Sequence, residues 1–232
     1  NFIIKGLEII KKRTHKGISQ IIDNSNINHS PTATDLSFIV GPQLNAASRV
    51  DDSSLSHKLL ISNNLIEIET ITKKIFLLNE KRKLIESNIY DQALEQAKKQ
   101  INKKFLLVYG LGWHKGILGI IASRLVEKFN KPAIVISFDQ NIGIGSARSI
   151  KQIDLGNIIL SAKQKGLLLN GGGHKMAAGL KIQINLIDKF HQYLSRSFEQ
   201  FSDSLFHKIN LYDAKLSFNE INIDFLEHLE AL

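Results

Sequence analysis

LLLNGGGHKMAAGLKIQI, residues 167–184, places three consecutive glycines, a histidine and an alanine-rich turn between two apolar runs. Lacking a Cβ, Gly171, Gly172 and Gly173 leave the backbone free to take positive φ and to approach another group closely. His174 and Lys175 follow where the pattern reads as a helix start, whose unpaired N–H groups attract anions. Two readings stand side by side: a phosphate cradle, or a tight turn that contains glycines.

The segments on either side place this stretch in an α/β lobe. KFLLVYGLG and KPAIVISF read as buried strands, and IGIGSARSI and GLKIQI as further strands. GILGIIASRLVEKF, DLGNIILSAKQ and NLIDKFHQYLSRSFEQF read as helices, the second beginning at Asp154 and the third with Asn185 as cap and Asp188 three residues on. Alternation of this length predicts a sheet covered by helices. From His207, HKINLYDAKLSF reads as strand, and NIDFLEHLEAL begins one more helix.

Residues 1 to 50 read as helical. Thr32 or Thr34 caps the helix carrying DLSFIVGPQLNAASRV, and Pro42 is expected to bend or interrupt it. SLSHKLLIS continues the helical pattern. Between residues 63 and 102, Ile68, Ile71, Ile75, Leu78, Ile85 and Ile89 recur at spacings of three, four or seven, which keeps them on one stripe. Some forty residues of helix reach ~60 Å, more than a small domain's width. Because YDQALEQAKKQ lacks sustained heptads, the expectation is a bridge between two lobes, in a monomer, and not a coiled coil.

The bulk numbers narrow the function classes. The 232 residues are 43% hydrophobic and 22% charged, with three prolines and no low-complexity tract, as in a globular protein with a sizeable core. Every apolar run is broken by charge before it spans a bilayer, and the basic, amphipathic start has no signal-peptide layout. The absence of cysteine excludes disulfides and thiolate metal sites and agrees with a cytoplasmic protein. A formal net charge of +8 favours a polyanionic partner, nucleic acid first and an acidic membrane surface second. The chain opens on Asn1 and stops at EAL within a helical pattern, so it is expected to be a fragment.

Three segments carry candidate binding chemistry. In IGIGSARSI, residues 142–150, Gly143 and Gly145 weaken a strand unless something approaches its backbone closely. Ser146 and Arg148, two apart, share one face of that strand, and Ser149 adds a hydroxyl. Guanidinium and hydroxyl together suit a phosphate, while a solvated edge strand is the plainer alternative. In YGLGWHKGILG, Trp113 and His114 sit on a strand-to-helix loop, where Trp113 either stacks a base or, the weightier reading, seals the loop against the core. His114 either faces a phosphate or is a satisfied loop histidine, and Gly116 and Gly119 permit close helix–sheet packing. In GPQLNAASRVDD, Asn45 and Arg49 are four apart on one helix face, available to nucleic acid or to contacts between lobes. No histidine pair has ligand spacing with acidic support, so no metal site is expected in this chain.

Taken in order, GPQLNAASRV, GWHKGILGIIASRL, KPAIVIS, GSARSI and GGGHKMAAG resemble the single-strand-specific 5′→3′ exonucleases of the DHH phosphoesterase superfamily over nearly the whole chain. The resemblance implies an α/β architecture in four parts: C-terminal helices of a DHH lobe at 1–62, a long bridging helix at 63–102, a DHHA1 lobe with a mixed sheet at 103–204, and the start of a truncated OB-like domain at 205–232. It further implies that Ser146, Arg148, Gly172, Gly173 and His174 hold substrate, the first motif gripping the 5′-terminal phosphate. The catalytic Mg²⁺ or Mn²⁺ cluster of the family lies on its Asp-His-His lobe, and no DHH string occurs here. The intact protein would hydrolyse DNA phosphodiesters in repair and recombination, with single-stranded DNA, a single-strand-binding protein and a helicase as partners, and this chain alone would be inactive. Gln43 departs from the pattern, the family commonly having Arg there. The alternatives are a small-substrate DHH phosphoesterase acting on oligonucleotides or cyclic dinucleotides, and a non-catalytic nucleic-acid-binding module or remnant.

Overall fold

A computed structural model describes residues 2–230. Helices α1 (Phe2–Lys11) and α2 (Lys16–Asn24) lead to a cap at Thr32, which starts the single turn α3 (Ala33–Asp35). The Thr32 hydroxyl accepts from the Asp35 N–H at 3.2 Å, and the Asp35 carboxylate accepts from the Thr32 N–H at 2.8 Å, a capping box that satisfies two helix-end donors. The turn runs through a π-helical segment, Leu36–Val40, into α4 (Gly41–Val50). Pro42 explains the widening: in a regular helix its ring strikes the carbonyl four residues back, and the wider turn, closed by Gly41 N–H to Leu36 O, makes room.

After α5 (Ser54–Ile61), the helix α6 (Leu65–Lys98) begins at Asn64, whose side chain accepts from the Ile66 and Glu67 N–H groups. Its stripe serves two cores. Ile68, Ile71, Ile75 and Leu78 pack with Ile21, Ile22, Ala46, Ala47 and Leu59 of the N-terminal helices. Ile89, Ala93 and Ala97 pack on the sheet side with Leu106, Val108 and Ile121. Each fully buried isoleucine contributes about 1.5–3 kcal/mol relative to exposure, so one helix is anchored at both ends. This is the expected bridge.

The sheet has five strands, β1 (Leu106–Leu111), β2 (Ala133–Asp139), β3 (Ile142–Arg148), β4 (Asn170–His174) and β5 (Ala177–Gln183), in the order β1-β2-β3-β5-β4. Helix α7 (Leu118–Phe129) crosses from β1 to the parallel β2, and the other pairs are antiparallel, giving the mixed sheet. One face carries Ile134, Ile136, Ala147, Ala178, Leu180 and Ile182 against α8 (Leu155–Gln164) and α9 (Ile187–Glu199). On the other face α6 and α7 cover β1 and β2. The edge of β1 is closed by Gln96 of α6 and by Gln100 in the turn that follows it: each pairs through its amide with both backbone groups of one residue, Tyr109 and Leu107 respectively.

The structure corrects four expectations. GGGHKMAAG is a β-hairpin and not a helix start, with Gly173 opposite Ala178 and His174 opposite Ala177. Its turn is held by helix α8's entry, as Met176 O accepts from Ser149 N–H and Lys175 O from Leu155 N–H. Among the glycines, positive φ occurs at Gly112 and Gly166 and not in the triplet, so conformational freedom is not why those three are there. Asn185 does not cap α9, which is entered through a 3-10 turn, Ile184–Leu186. HKINLYDAKLSF forms no strand and does not join the sheet, and its Ile209, Leu211 and Tyr212 are exposed. The following helix, α10 (Ile223–Glu230), is present, its expected continuation through Ala231 and Leu232 lying outside the described residues.

Candidate phosphate-binding site

Register decides which side chains meet. Arg148 stands opposite Ala177 and Ala177 opposite His174, and one step along the strands Ser146 stands opposite Gly179 and Gly179 opposite Gly172. Side chains two apart share a face, so Ser146, Arg148, His174 and the open side of Gly172 lie on one surface. It is the α7 face, because Arg148 and Ser146 pair with Ala133 and Val135 of that core. Arg148 and His174 are two strand spacings apart, roughly 10 Å.

Arg148 is half-buried and makes no ion pair among the described residues. Its Nη1 donates to Ser146 Oγ at 3.1 Å and to Ala147 O at 2.9 Å, leaving the rest of its donor fork unused. A partly desolvated guanidinium beside a hydroxyl, with no carboxylate to neutralise it, has the chemistry of a candidate anion seat. Gly119 of α7 makes room for it: a methyl there would fall 2.9 Å from Arg148 Nη2 and 3.3 Å from Ser146 Oγ.

The shelf beside this seat is bare. A Cβ on Gly172 would meet nothing within 4 Å, and one on Gly179 only Gly145 O at 4.0 Å. Neither packing nor φ requires these two glycines, and their absent side chains leave flat backbone next to the guanidinium. Gly171 and Gly173 differ. A Cβ on Gly171 would press on Ile159 and Leu168, and one on Gly173 would lie 2.3 Å from Ala177 O, so both serve packing within the lobe. Gly143 and Gly145 likewise make way for Ile136, Phe138 and Leu180 of the core and not for a ligand.

The remaining candidates fall elsewhere. Ser149 is buried and donates to Ile153 O at 2.9 Å, which turns it away from the seat. Trp113 is buried and donates through Nε1 to Gln92, sealing its loop as the weightier reading held. His114 Nδ1 accepts from Gly116 N–H at 3.2 Å, within its own loop. Arg49 donates to Gly116 O at 3.3 Å, and a Cβ on Gly116 would lie 2.2 Å from Arg49 O, so this pair clasps the helical part to the sheet part. Arg49, exposed Asn45, Ser37 and Arg82 line a small cleft with Ile120, which adjoins Gly119 in sequence. Arg82 is already paired with Glu86 at 2.6 Å, and Arg124 shares that carboxylate. Gln43 is buried and donates to Ser25 Oγ at 2.8 Å, so its side chain faces α2 and not the seat.

Sequence reasoning missed Gly119 as the residue that admits Arg148 and Gly179 as half of the shelf. A signal for Gly179 existed: it interrupts AAGLKIQ on the face opposite Ala178, Leu180 and Ile182. Among the described residues no group of three or more His, Asp or Glu side chains is placed to hold a metal ion, and no helix is long and apolar enough to cross a membrane. The donor set therefore does not fit a divalent cation.

Residues 102–200 match the DHHA1 domain model. The chain is 34% identical over 200 residues to the single-stranded-DNA-specific exonuclease RecJ of Dickeya dadantii, covering 82% of this chain and 35% of that protein. RecJ of Thermus thermophilus, solved in complex with Mn²⁺, superposes with a TM-score of 0.77 at 26% identity, over 87% of this chain and 30% of that one. The same protein in complex with Mg²⁺ gives 0.76 at 27% identity, over 85% and 30%. The chain thus spans about a third of the length of these relatives. It is similar to RecJ over that span, and its residues 102–200 match the DHHA1 domain.

Proposed function

We propose that this chain is the substrate-gripping part of a single-strand-specific 5′→3′ DNA exonuclease of repair and recombination. The observation that carries the reading is Arg148: half-buried, without an ion pair, bonded to Ser146 and adjoining the bare Gly172–Gly179 shelf. Arg148 and Ser146 would hold the 5′-terminal phosphate, and His174, across Ala177, would touch the next group of the strand. Arg49 and Asn45, at the clasp between the helical and sheet parts, extend the positive surface. Positioning of this kind lowers a barrier by fixing the reacting phosphate before chemistry begins.

The Mg²⁺ or Mn²⁺ named for the solved relatives has no ligand set among the described residues. Divalent-ion chemistry is therefore assigned to the DHH lobe, and this chain by itself is expected to bind and not to cleave. The parts proposed for it are the end of a DHH lobe (1–62), the bridge (63–102), the DHHA1 lobe (103–204) and the start of a further domain (205–232). A monomer in the cytoplasm, serving a single-strand-binding protein and a helicase, accords with this role.

The deciding experiment titrates the chain with 5′-phosphorylated and 5′-hydroxyl thymidine oligonucleotides. Loss of a charge-assisted contact of about 1.5–3 kcal/mol predicts that Arg148→Ala weakens the phosphorylated ligand roughly 10- to 100-fold. Equal affinity of wild type and variant would refute the assignment, and preference for a dinucleotide over longer strands would favour a small-substrate phosphoesterase.

A further inference from the structure

Beyond the Arg148 row and the glycine row, the same sheet face carries a third row that the anion seat does not use. Ile144 stands opposite Lys181 and Lys181 opposite Asn170. These residues, with Gly172 and Gly179, line a groove of about 450 Å³. Two residues along a strand make about 7 Å, so the Lys181 row lies about 7 Å beyond the glycine row and about 14 Å beyond Arg148.

The chemistry of the row is specific. Lys181 is exposed and makes no ion pair or side-chain hydrogen bond among the described residues. Asn170 is exposed and accepts the Gly171 N–H on Oδ1 at 2.9 Å, which leaves its two amide N–H donors directed away from that bond. Ile144 is half-buried on the same open face and supplies an apolar patch beside them. Cation, amide donors, apolar patch and side-chain-free floor together match one nucleotide unit: a phosphate for Lys181 and Asn170, and a flat sugar or base for Ile144 and the shelf.

We infer that Lys181 and Asn170 form a second phosphate subsite, which holds an internal phosphodiester of a single strand whose terminal phosphate sits at Arg148. This rests on the proposed role of Arg148 and adds to it a direction: the nucleic-acid strand runs along the β-strands of this face, from the Arg148 row over the glycine row to the Lys181 row. Unpaired single-stranded nucleic acid is the ligand class, because a groove one backbone layer deep with a single row of donors offers a duplex no second set of contacts.

The test measures binding of 5′-phosphorylated thymidine mono-, di- and tetranucleotides to the full chain over a range of salt. Wild type is compared with Lys181→Ala, Lys181→Arg, Arg148→Ala and, as a charge control, Lys5→Ala on exposed α1. Lys181→Ala is expected to leave the mononucleotide unchanged and to weaken the tetranucleotide at least fivefold. It should also lower the salt slope by about 0.7, one phosphate's worth for a single strand, with Lys181→Arg restoring both. Equal losses at all lengths, no loss at any length, or the same loss from Lys5→Ala would overturn the subsite. If Arg148→Ala weakens every length while Lys181→Ala weakens none, the subsite fails and the seat stands. If Arg148→Ala weakens none, the seat itself fails.

Discussion

Gly119 lies beneath the guanidinium of Arg148, so close that a methyl group on it would come 2.9 Å from Nη2. The contact is with the far end of a flexible side chain, which can swing aside. Gly119→Ala is therefore expected to keep the fold, with an unchanged or higher melting temperature because alanine favours helix over glycine. Phosphorylated oligonucleotides should nonetheless bind several-fold more weakly, since the guanidinium is pushed off its seat. Thermal melts paired with titrations check this, and a lowered melting temperature with intact affinity would reduce the contact to packing.

Gly172 and Gly173 are neighbours with opposite tasks. Gly172→Val adds bulk where nothing lies within 4 Å, so stability should stay within about 0.5 kcal/mol while the filled shelf costs affinity at least tenfold. Gly173→Ala drives a methyl to 2.3 Å from the Ala177 carbonyl, a backbone atom that cannot step aside. It should destabilise by about 1–3 kcal/mol. Urea unfolding of both variants separates the glycine in open space from the packed one.

That division marks where sequence reading stops. The α/β alternation and the stripe of α6 follow from local periodicity, and a cap at Thr32 or Thr34 from local side-chain chemistry, of which the structure uses Thr32. Ser146 and Arg148 share a face for the same local reason, the period of two in a strand. The hairpin at His174 is not legible in the sequence, because Gly171 and Gly173 answer to Ile159, Leu168 and Ala178, partners that only the tertiary fold supplies. Adjacency to Arg148 suggests phosphate for Ser149, yet the chain leaves the strand there and its hydroxyl turns to Ile153. Gly119 comes beneath Arg148 by a crossover helix, a relationship absent from any window of sequence.

The edge of β1 is closed by Gln96 and Gln100, whose amides make four hydrogen bonds of 2.7–3.1 Å with Tyr109 and Leu107. Replacing both by alanine leaves α6 a good helix and strips the edge of its partners. The double variant should lose about 2 kcal/mol, given the modest net worth of such hydrogen bonds at a solvent-accessible edge. It should also self-associate at high concentration, since an uncovered strand edge pairs with other chains. Chemical denaturation and light scattering measure the two effects.

His191 provides a pH dependence whose sign can be worked out. Its ring is half-buried against Phe105, and Lys103 Nζ approaches Nε2 at 2.7 Å, a geometry in which the ammonium donates to a neutral imidazole. Burial, with the Lys103 charge adding to it and Asp188 opposing, lowers the His191 pKa below its ordinary value of 6.5. The unfolded chain then binds a proton more readily than the folded one, so this contribution to stability is complete above pH 6.5 and is lost as pH falls through the folded pKa. His191→Gln cannot be protonated there, and its stability should decline less than the wild type's between pH 7 and 5. Urea midpoints across that range test it: parallel curves for the two proteins would show that the acid-side loss arises elsewhere.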